Sequence, residues 1–380
     1  MTSPNPAQAR ISIIGAGPGG LTCARILQQH GVAVTVHDRD AGPGARNQGG
    51  TLDLHADNGQ IALRTAGLLD EFFALARPEG QEMRRLDPAG RLTSHEVPGP
   101  DELFRPEIDR GTLRDLLLGS LEPGTVHWGR ALQRVSGPAR GPRQLHFSDG
   151  TTVETDLVIG ADGAYSRVRP DVSPAVPGYT GVSFLEAWFS DVENRHPGIA
   201  GLVGQGSAHA ADGERAMFAQ RGGDHHIRVY LIQRVPADWI GASGLTAGDT
   251  DGIRAALLER YGHWSPRMRQ MITDNEGRYV DRPILALPVP HIWEPSPTVT
   301  LLGDAAHLMP PLGEGVNLAM LDACELALAL AKSGTVDEAL RTYEETMLPR
   351  SAETAQALEG GAEHLLAAGM PDFGDAAAQR

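Results

Sequence analysis

Hydrophobic and polar positions follow two different patterns along this chain. Short apolar, β-branched stretches at residues 11–15, 32–38, 156–162 and 298–304 each end at an acidic residue or a glycine. This is typical of parallel strands whose carboxyl ends meet at one ligand-binding edge. Between residues 178 and 290, segments such as 184–189 and 227–232 alternate polar and apolar positions, as antiparallel strands with one solvated face do. The pattern predicts an α/β protein in which an antiparallel sheet is inserted into a doubly wound one.

Turn and helix patterns complete this prediction. Asp87-Pro88-Ala89-Gly90 predicts a turn between two shorter strands. Residues 316–331 and 336 to about 367 have helical patterns, the second long enough to brace two domains, and residues 371–380 are expected to be frayed.

The first strand runs into a glycine-rich turn. Gly15, Gly17 and Gly20 form a G-x-G-x-x-G motif before a helical pattern, and Asp38 ends the next strand about 20 residues later. In a dinucleotide site Gly15 permits the tight turn, Gly17 lets N–H groups approach a pyrophosphate, and Gly20 allows close packing, while Asp38 can accept hydrogen bonds from ribose hydroxyls. Arg39 leaves two interpretations open, because it could favour a 2′-phosphate or lie along the adenine of a flavin nucleotide.

A second glycine-bounded junction lies near the other end of the chain. Gly303 and Asp304 end a strand, and after a Pro-Pro turn that begins at Pro310 a glycine loop opens a helix, with the sequence Gly313-Glu314-Gly315-Val316-Asn317. Asp304 either caps a local turn or accepts hydrogen bonds from a ligand hydroxyl. The helix N-terminus offers N–H groups and a positive dipole end to an anionic group. Two such junctions predict one long cofactor held at both ends.

Composition excludes several classes of function. The net charge is −15 and Lys332 is the only lysine, which disfavours nucleic acid and anionic membranes as partners. The chain has no apolar run near the roughly 18 residues of a membrane span and no secretory signal, so it is expected to be cytoplasmic. Cys23 and Cys324 are interpreted as small buried hydrophobes, and no metal is expected because no His/Cys cluster has ligand spacing. Hydrolase and metalloenzyme motifs are also absent from the sequence.

Five stretches, in order, carry a family resemblance. They are the first glycine motif, Arg46-Asn-Gln-Gly49-Gly50-Thr51-Leu-Asp53-Leu-His55, Pro106-Glu107-Ile-Asp109-Arg110-Gly-Thr-Leu113-Arg114, Asp162-Gly163-Ala-Tyr-Ser166-Arg-Val-Arg169, and Gly303 through Asn317. On these motifs the chain resembles the FAD-dependent aromatic-hydroxylase (para-hydroxybenzoate hydroxylase-like) monooxygenase superfamily, and within it most resembles the tetracycline-inactivating flavin monooxygenases. The resemblance covers nearly the whole length.

The resemblance implies a Rossmann-like FAD-binding domain with an inserted antiparallel β-sheet substrate domain and a C-terminal bracing helix. The FAD-binding part would comprise residues 1–80 with the glycine motif, 106–177 with the Asp-Gly motif, and 291–331 with the Gly-Asp motif and its helix. The substrate-binding part would comprise strands in residues 81–105 and a domain at 178–290. Residues 332–372 would form the C-terminal helix.

The same resemblance implies the cofactor contacts. Asp304 would bind a ribityl hydroxyl of FAD, Asp53 and Arg110 would contact FAD, and Arg46 would contact NADPH. Taken alone, Arg46, Asp53 and Arg110 could equally be solvated charges, and Asp162-Gly163 a simple turn. Arg110 opens a helical run and is suitably placed to grip a phosphate in bidentate fashion. The residues expected to contact a cofactor are Gly15, Gly17, Gly20, Asp38, Arg39, Arg46, Asp53, Arg110, Asp162, Gly303, Asp304, Gly313, Gly315, Val316 and Asn317.

The implied reaction is hydroxylation of an aromatic or polyketide-like small molecule by a monomer that uses FAD, NADPH and O₂. Because a flavin C4a-hydroperoxide carries the difficult step, no catalytic side chain is assigned. Tetracycline inactivation, a form of antibiotic resistance, is the most specific version. Residue types around Glu186, Ala208 and Arg228 nevertheless differ from those that contact tetracycline. The candidate substrate contacts are Glu186, Arg228, Pro310 and Gly313.

One departure and three alternatives remain. Glu314 replaces a glutamine that is common in the family, and we expect it to point away from the flavin or to cap the helix. The chain could be a flavin-binding protein without turnover, such as a redox sensor or a metabolite-sequestering binder, or an oxygenase of a non-tetracycline phenol. A flavin halogenase is disfavoured because no W-x-W-x-I-P segment occurs.

Overall fold

The computed structural model describes residues 3–46, 48–99 and 101–367, so the end expected to be frayed lies outside the described residues. The strands are β1 (Ile11–Ile14), β2 (Val34–His37), β3 (Thr51–Asp53), β4 (Met83–Leu86), β5 (Leu92–Glu96), β6 (Glu107–Asp109), β7 (Val126–His127), β8 (Leu132–Ser136), β9 (Arg143–Phe147), β10 (Thr152–Thr155), β11 (Leu157–Gly160), β12 (Gly178–Phe189), β13 (Ser207–Ala211), β14 (Arg215–Arg221), β15 (Ile227–Arg234), β16 (Val280–Ala286) and β17 (Val299–Leu301).

The helices alternate with these strands. They are α1 (Pro18–Gln29), α2 (Gly59–Thr65), α3 (Leu69–Leu75), α4 (Arg110–Gly119), α5 (Val192–Arg195), α6 (Pro197–Val203), α7 (Trp239–Ala242), α8 (Thr250–Arg260), α9 (Pro266–Thr273), α10 (Asp304–His307), α11 (Glu314–Lys332), α12 (Val336–Ala357) and α13 (Gly361–His364). None of them is long and apolar enough to cross a bilayer, as judged over the described residues.

A five-stranded parallel sheet forms the centre of the cofactor-binding part. Its order is β17-β11-β1-β2-β7, and each adjacent pair is parallel. The four stretches that the sequence predicts as parallel strands are β1, β2, β11 and β17 of this sheet, and every residue of β1, β11 and β17 is buried. Helices α1 and α11 pack against each other beside this sheet. The carboxyl ends of β1, β11 and β17 therefore bring both glycine junctions to one edge.

A seven-stranded sheet forms the second layer, in the order β16-β12-β15-β14-β13-β4-β5. It is antiparallel except for the parallel pair β13–β4, so the strands near residues 83–96 join those of residues 178–286 in one sheet. Alternate residues face opposite sides. Leu185 and Leu231 pack into one apolar core with α6, α8 and α9, while Phe184 and Ile232 face α11 and α13. The predicted α/β class with an inserted antiparallel sheet is confirmed.

The C-terminal helix differs from the prediction. The helical pattern from residue 336 to about 367 is interrupted, because α12 ends at Ala357 and the short α13 begins only at Gly361. Gly360 has a left-handed backbone (φ 75°), which terminates a helix at low cost in a glycine. The bracing role holds for α12, since Tyr343 and Met347 are buried and the Tyr343 hydroxyl donates to the carbonyl of Leu301 in β17.

Candidate active site

The first glycine turn is shaped for close approach of backbone. Gly15 has φ +111°, and a Cβ on it would lie 2.3 Å from the carbonyl oxygen of Ala161. A Cβ on Gly20 would lie 2.1 Å from the carbonyl oxygen of Gly15, so this glycine lets α1 pack on its own turn. A Cβ on Gly17 would meet no atom within 4 Å. Gly17 therefore borders open space at the N-terminus of α1, where a phosphate group fits.

The end of β2 braces this turn. Asp38 accepts a hydrogen bond at 2.6 Å from the N–H of Ala16 and another at 2.8 Å from the N–H of Asp40, so both of its oxygens already engage backbone donors. Its neighbour Arg39 is exposed. Arg46 forms an ion pair at 3.0 Å with Asp40 and keeps 53% of its side chain exposed. Arg39 and Arg46 thus place two arginines on the outer rim of this turn.

The Asp-Gly motif contributes an unpaired carboxylate oxygen. Oδ2 of Asp162 accepts from the N–H of Arg167 at 2.6 Å, whereas Oδ1 is buried and has no partner among the described residues. Burial raises the pKa of Asp162. Arg169 joins this loop to the second junction, since its guanidinium donates to the carbonyls of Ala164 and Asp304, both at 3.0 Å.

The Gly-Asp motif is held from behind by a buried carboxylate. Asp322 of α11 accepts from the N–H of Gly303 at 3.0 Å, from His307 at 2.6 Å and from Arg350 at 2.8 Å. Burial alone would raise the pKa of Asp322, but His307 and Arg350 hold it below its usual range. Asp304, one residue beyond Gly303, is exposed and accepts no hydrogen bond on its carboxylate from any described residue. Its carboxylate is thus available to a ligand.

The N-terminus of α11 is an open group of backbone donors. The N–H groups of residues 314–317 find no partner within the described chain. Two carboxylates flank them, because a Cβ on Gly313 would lie 3.8 Å from Oδ2 of Asp53 and a Cβ on Gly315 would lie 3.8 Å from Oδ1 of Asp304. The Asn317 side chain is fully used inside the protein, as it accepts from His55 and Gly59 and donates to Asp53 and Gly313. Only its backbone N–H, like that of Val316, remains for a ligand.

Arg110 lies between the two layers. It is solvent-exposed, yet protein surrounds it on most sides, and this enclosure lowers the pKa of its guanidinium, an effect that Asp304 and Tyr230 partly oppose. A side chain that solvent reaches but that protein surrounds on most sides lines a cleft. A Cβ added to Gly49 would lie 3.5 Å from Cδ of Arg110, and a Cβ added to Gly50 would lie 3.0 Å from the Tyr230 hydroxyl. The Gly49-Gly50 backbone therefore separates Arg110 from the seven-stranded sheet.

The cleft-facing side of that sheet carries the candidate substrate residues. Glu186 is nearly buried and pairs with Arg228 (Nη1 to Oε2, 3.2 Å) and with Arg282 (Nε to Oε1, 2.5 Å). Arg282 keeps 52% of its side chain exposed. Tyr230 lies opposite Glu186 in the β12–β15 pairing. Pro310 is half-buried after α10, and Gly313 is exposed.

Several residues of this site have no assigned role in the sequence prediction. Arg114 is buried and donates at 3.0 Å to the carbonyl of Ala16, which fixes the glycine turn. A charged residue four positions after Arg110, on the same face as Leu113 and Leu117, is the signal that could have identified it. Asp322 has a similar signal, a carboxylate inside an otherwise apolar helix. The strand residues that complete the charged and aromatic face are Phe184, Phe218, Tyr230 and Arg282.

The residues present fit FAD. Its diphosphate suits the open N-terminus of α1 at Gly17, hydroxyl groups suit the unpaired oxygens of Asp162 and Asp304, and the electron-rich edge of its ring suits the free N–H groups of α11. Because Arg169 joins the Asp-Gly and Gly-Asp loops, these features belong to one elongated cleft.

Comparisons with known proteins agree with this fit. A family described as an FAD binding domain matches residues 8–209 and 296–357. The 3-amino-4-hydroxybenzoate 2-monooxygenase of Streptomyces cremeus is 32% identical over 90% of this chain and 84% of its own length. Among solved structures, Klebsiella pneumoniae HpxO with FAD and uric acid has a TM-score of 0.79 at 21% identity, covering 98% and 92% of the two chains. Tetracycline destructase Tet(51) has a TM-score of 0.70 at 18% identity, covering 98% and 94%. The chain therefore belongs to the FAD-dependent, para-hydroxybenzoate hydroxylase-like monooxygenases.

Proposed function

We propose that this chain uses NADPH and O₂ to hydroxylate an electron-rich aromatic or polyketide-like small molecule. The observation that carries the proposal is the ring cluster on the cleft-facing side of the seven-stranded sheet. Tyr230 lies 5.8 Å from Phe184 and 6.4 Å from Phe218 between ring centroids, the latter pair stacked at 21°. Such a surface favours a flat ring, since aromatic groups pack in offset or edge-to-face geometry.

The charges beside these rings narrow the substrate class. Glu186 neutralises one of its two arginine partners, so the group carries a net positive charge with Arg282 at its exposed end. A phenolate, enolate or carboxylate next to the stacked ring complements this charge. We infer that Arg282 and Tyr230 orient the acidic group of the substrate, with Glu186 and Arg228 as candidate contacts below it. Tetracyclines, which carry acidic enols on a fused ring system, remain one member of this class.

The remaining cofactor steps use the rest of the cleft. When bound, FAD would supply the redox chemistry: it would take a hydride from NADPH and activate O₂, so that one oxygen atom enters the substrate and the other leaves as water. In this proposal Arg39 and Arg46 supply positive charge for the NADPH phosphates at the rim. Asp162, Asp304 and Arg110 hold the flavin, and the two packed layers exclude water from the reacting ring. Residues 81–105 and 178–290 would form the substrate-binding part.

A substrate screen tests the proposal. NADPH oxidation by the FAD-loaded protein is measured with tetracyclines, anthracycline-like polyketides and simple phenols, with mass detection of a product heavier by one oxygen atom. We expect at least one acidic ring compound to stimulate oxidation and to be hydroxylated. Arg282→Gln should raise its KM about tenfold, since a charge-assisted hydrogen bond is lost. Arg254→Gln, which removes an arginine paired with Asp251 on α8, should leave KM unchanged.

The contrary outcome is specific. A yellow protein that consumes no NADPH and hydroxylates nothing across the panel would be a flavin-binding protein without turnover. If the KM of the Arg282→Gln variant equalled that of the wild type, Arg282 would not bind the acidic group of the substrate.

A further inference from the structure

The open N-terminus of α11 is surrounded by an unusual amount of negative charge. Asp53 from β3, Asp57 from the loop before α2, and Glu314 from α11 itself lie close enough to one another or to His55 for their charges to interact. Asp304 flanks this helix end from the other side. These carboxylates oppose a ligand that becomes negatively charged there, whereas the free N–H groups of the helix favour it.

His55 is a titratable base placed among these acids. Its Nε2 lies 3.0 Å from Oδ2 of Asp53, and its backbone N–H donates to Asn317 of α11. Its ring stacks on Phe104 at 6.2 Å between centroids. Only 12% of the side chain is exposed, so its orientation is fixed by β3, α11 and the Phe104 loop together.

The protonation state of His55 therefore sets the local charge. Burial lowers the pKa of His55, but the hydrogen bond that its ring donates to Asp53, together with the charges of Asp53, Glu314 and Asp57, raises the pKa above its usual value. Burial raises the pKa of Glu314, and His55 counteracts that rise. A protonated His55 neutralises the charge of Asp53. When His55 is neutral, the negative charge of Asp53 is not compensated by it, and Oδ2 of Asp53 lies 3.8 Å from the position that a Cβ on Gly313 would occupy.

We propose that His55 is a proton-linked positioning residue that offsets the negative charge gained by FAD when two electrons and one proton reduce it. The inference rests on the proposed placement of the flavin ring at α11. Reduction adds a negative charge near His55, so His55 binds a proton from solvent more tightly in the reduced enzyme than in the oxidised one. FAD reduction is then accompanied by uptake of a further fraction of a proton by His55. This uptake occurs between the His55 pKa of the oxidised enzyme and the higher His55 pKa of the reduced enzyme.

The test is a dye-coupled reduction titration of the FAD-loaded protein as a function of pH, which reads out the flavin equilibrium without turnover. Below the His55 pKa of the oxidised enzyme, His55→Gln should lower the ratio of reduced to oxidised FAD at a fixed dye potential by about tenfold. The two curves should converge as pH rises and coincide above the higher His55 pKa of the reduced enzyme. Glu314→Gln should raise the ratio wherever Glu314 is ionised. His196→Gln is the matched control, because His196 also contacts a carboxylate, Glu276 at 2.7 Å, but in the other layer.

Parallel pH curves for wild type and His55→Gln would overturn the inference and leave a purely structural role for the His55–Asp53 contact. This failure is distinguishable from failure of the proposed function, since substrate-stimulated hydroxylation would persist. If Glu314→Gln lowered the ratio instead, the flavin ring would not lie at this helix end.

Discussion

Asp322 is the most heavily engaged carboxylate at the cofactor edge, and its partners explain how the Gly-Asp loop keeps its shape. It is fully buried, and it is compensated by His307, Arg350 and the N–H of Gly303. Removing one partner of a buried charge group strands the others. The loop that presents Asp304 thus depends on a residue that is buried behind it.

Asp322→Asn should lower the free energy of unfolding by about 3 kcal/mol near neutral pH. Asp322 has a lowered pKa, so its contribution is present above about pH 3.9 and is lost as pH falls through its own lower value. His307 has a pKa that burial would lower but Asp322 raises, so its contribution is present below about pH 6.5 and is lost as pH rises through that raised value.

Denaturant unfolding of the apo protein between pH 5 and 9 measures this linkage. Above about pH 6.5 the wild type should lose stability with rising pH, and the Asp322→Asn variant should lose much less, since its His307 has no anionic partner. Parallel curves would show that the His307–Asp322 pair does not contribute as described.

Asp304→Ala should separate cofactor binding from folding. Because the carboxylate is exposed and accepts no hydrogen bond from the described chain, the free energy of unfolding of the apo variant should lie within about 0.5 kcal/mol of that of the wild type. FAD affinity should fall about 10- to 100-fold through loss of a charge-assisted hydrogen bond. Asp115→Ala, an exposed carboxylate on α4, serves as the control in a flavin fluorescence titration. Full flavin retention in Asp304→Ala would mean that another group binds the ribityl chain.

At the scale of elements, Gly17 and Gly20 belong to the same glycine motif before α1 but are required for different reasons. Gly20 is needed by the protein itself, since a side chain there collides with the Gly15 carbonyl, whereas Gly17 borders empty space. The first is a packing requirement and the second a ligand requirement.

Gly17→Ala should therefore fold normally and bind FAD at least tenfold more weakly, while Gly20→Ala should be strongly destabilised even without FAD. Thermal melts of both apo variants, followed by flavin titration of those that fold, provide the comparison. Equal FAD affinity in Gly17→Ala and wild type would place the diphosphate elsewhere.

The elements that the sequence predicts correctly are those with a strong period. Buried β-branched runs identify β1, β11 and β17, and alternation correctly identifies β12 and β15 as strands. The expectation that one face of β12 and β15 is solvated is wrong, because both faces are largely buried against packed elements. The end of α12 is missed because the apolar pattern continues past Gly360 while the backbone does not. Gly360-Gly361 is itself a turn signal, and the hydrophobic period outweighed it in the sequence prediction.

Only the parts of the candidate site that depend on local sequence can be predicted, for a related reason. Motif residues such as Gly17, Asp162 and Asp304 lie where the sequence places them, because turn chemistry is local. The Glu186–Arg282 ion pair joins residues 96 positions apart through the β12–β16 register, and no local signal gives that register. His55 lies in one of the motifs that carry the family resemblance, but its proximity to Glu314 arises only from the packing of the segment after β3 against α11.

At the scale of the whole molecule, the described residues form three apolar cores, of which one joins the two layers. One fills the parallel sheet and its helices, and a second fills the outer side of the seven-stranded sheet. The third joins Phe184 and Ile232 of that sheet to Leu318 of α11 and Leu365 after α13. The cleft with Arg110 and Tyr230 borders this third core. Packing between layers thus sets the distance between the candidate substrate face and the flavin-binding helix.

The central claim is that two glycine junctions, distant in sequence, hold opposite ends of one FAD molecule. A crystal structure of the FAD-loaded protein tests it most directly. We predict continuous density with the diphosphate at Gly17 and the N-terminus of α1, the ribityl chain at Asp304, and the ring edge at residues 314–317. Density that placed the flavin ring away from α11, or the two ends of FAD in different clefts, would contradict it.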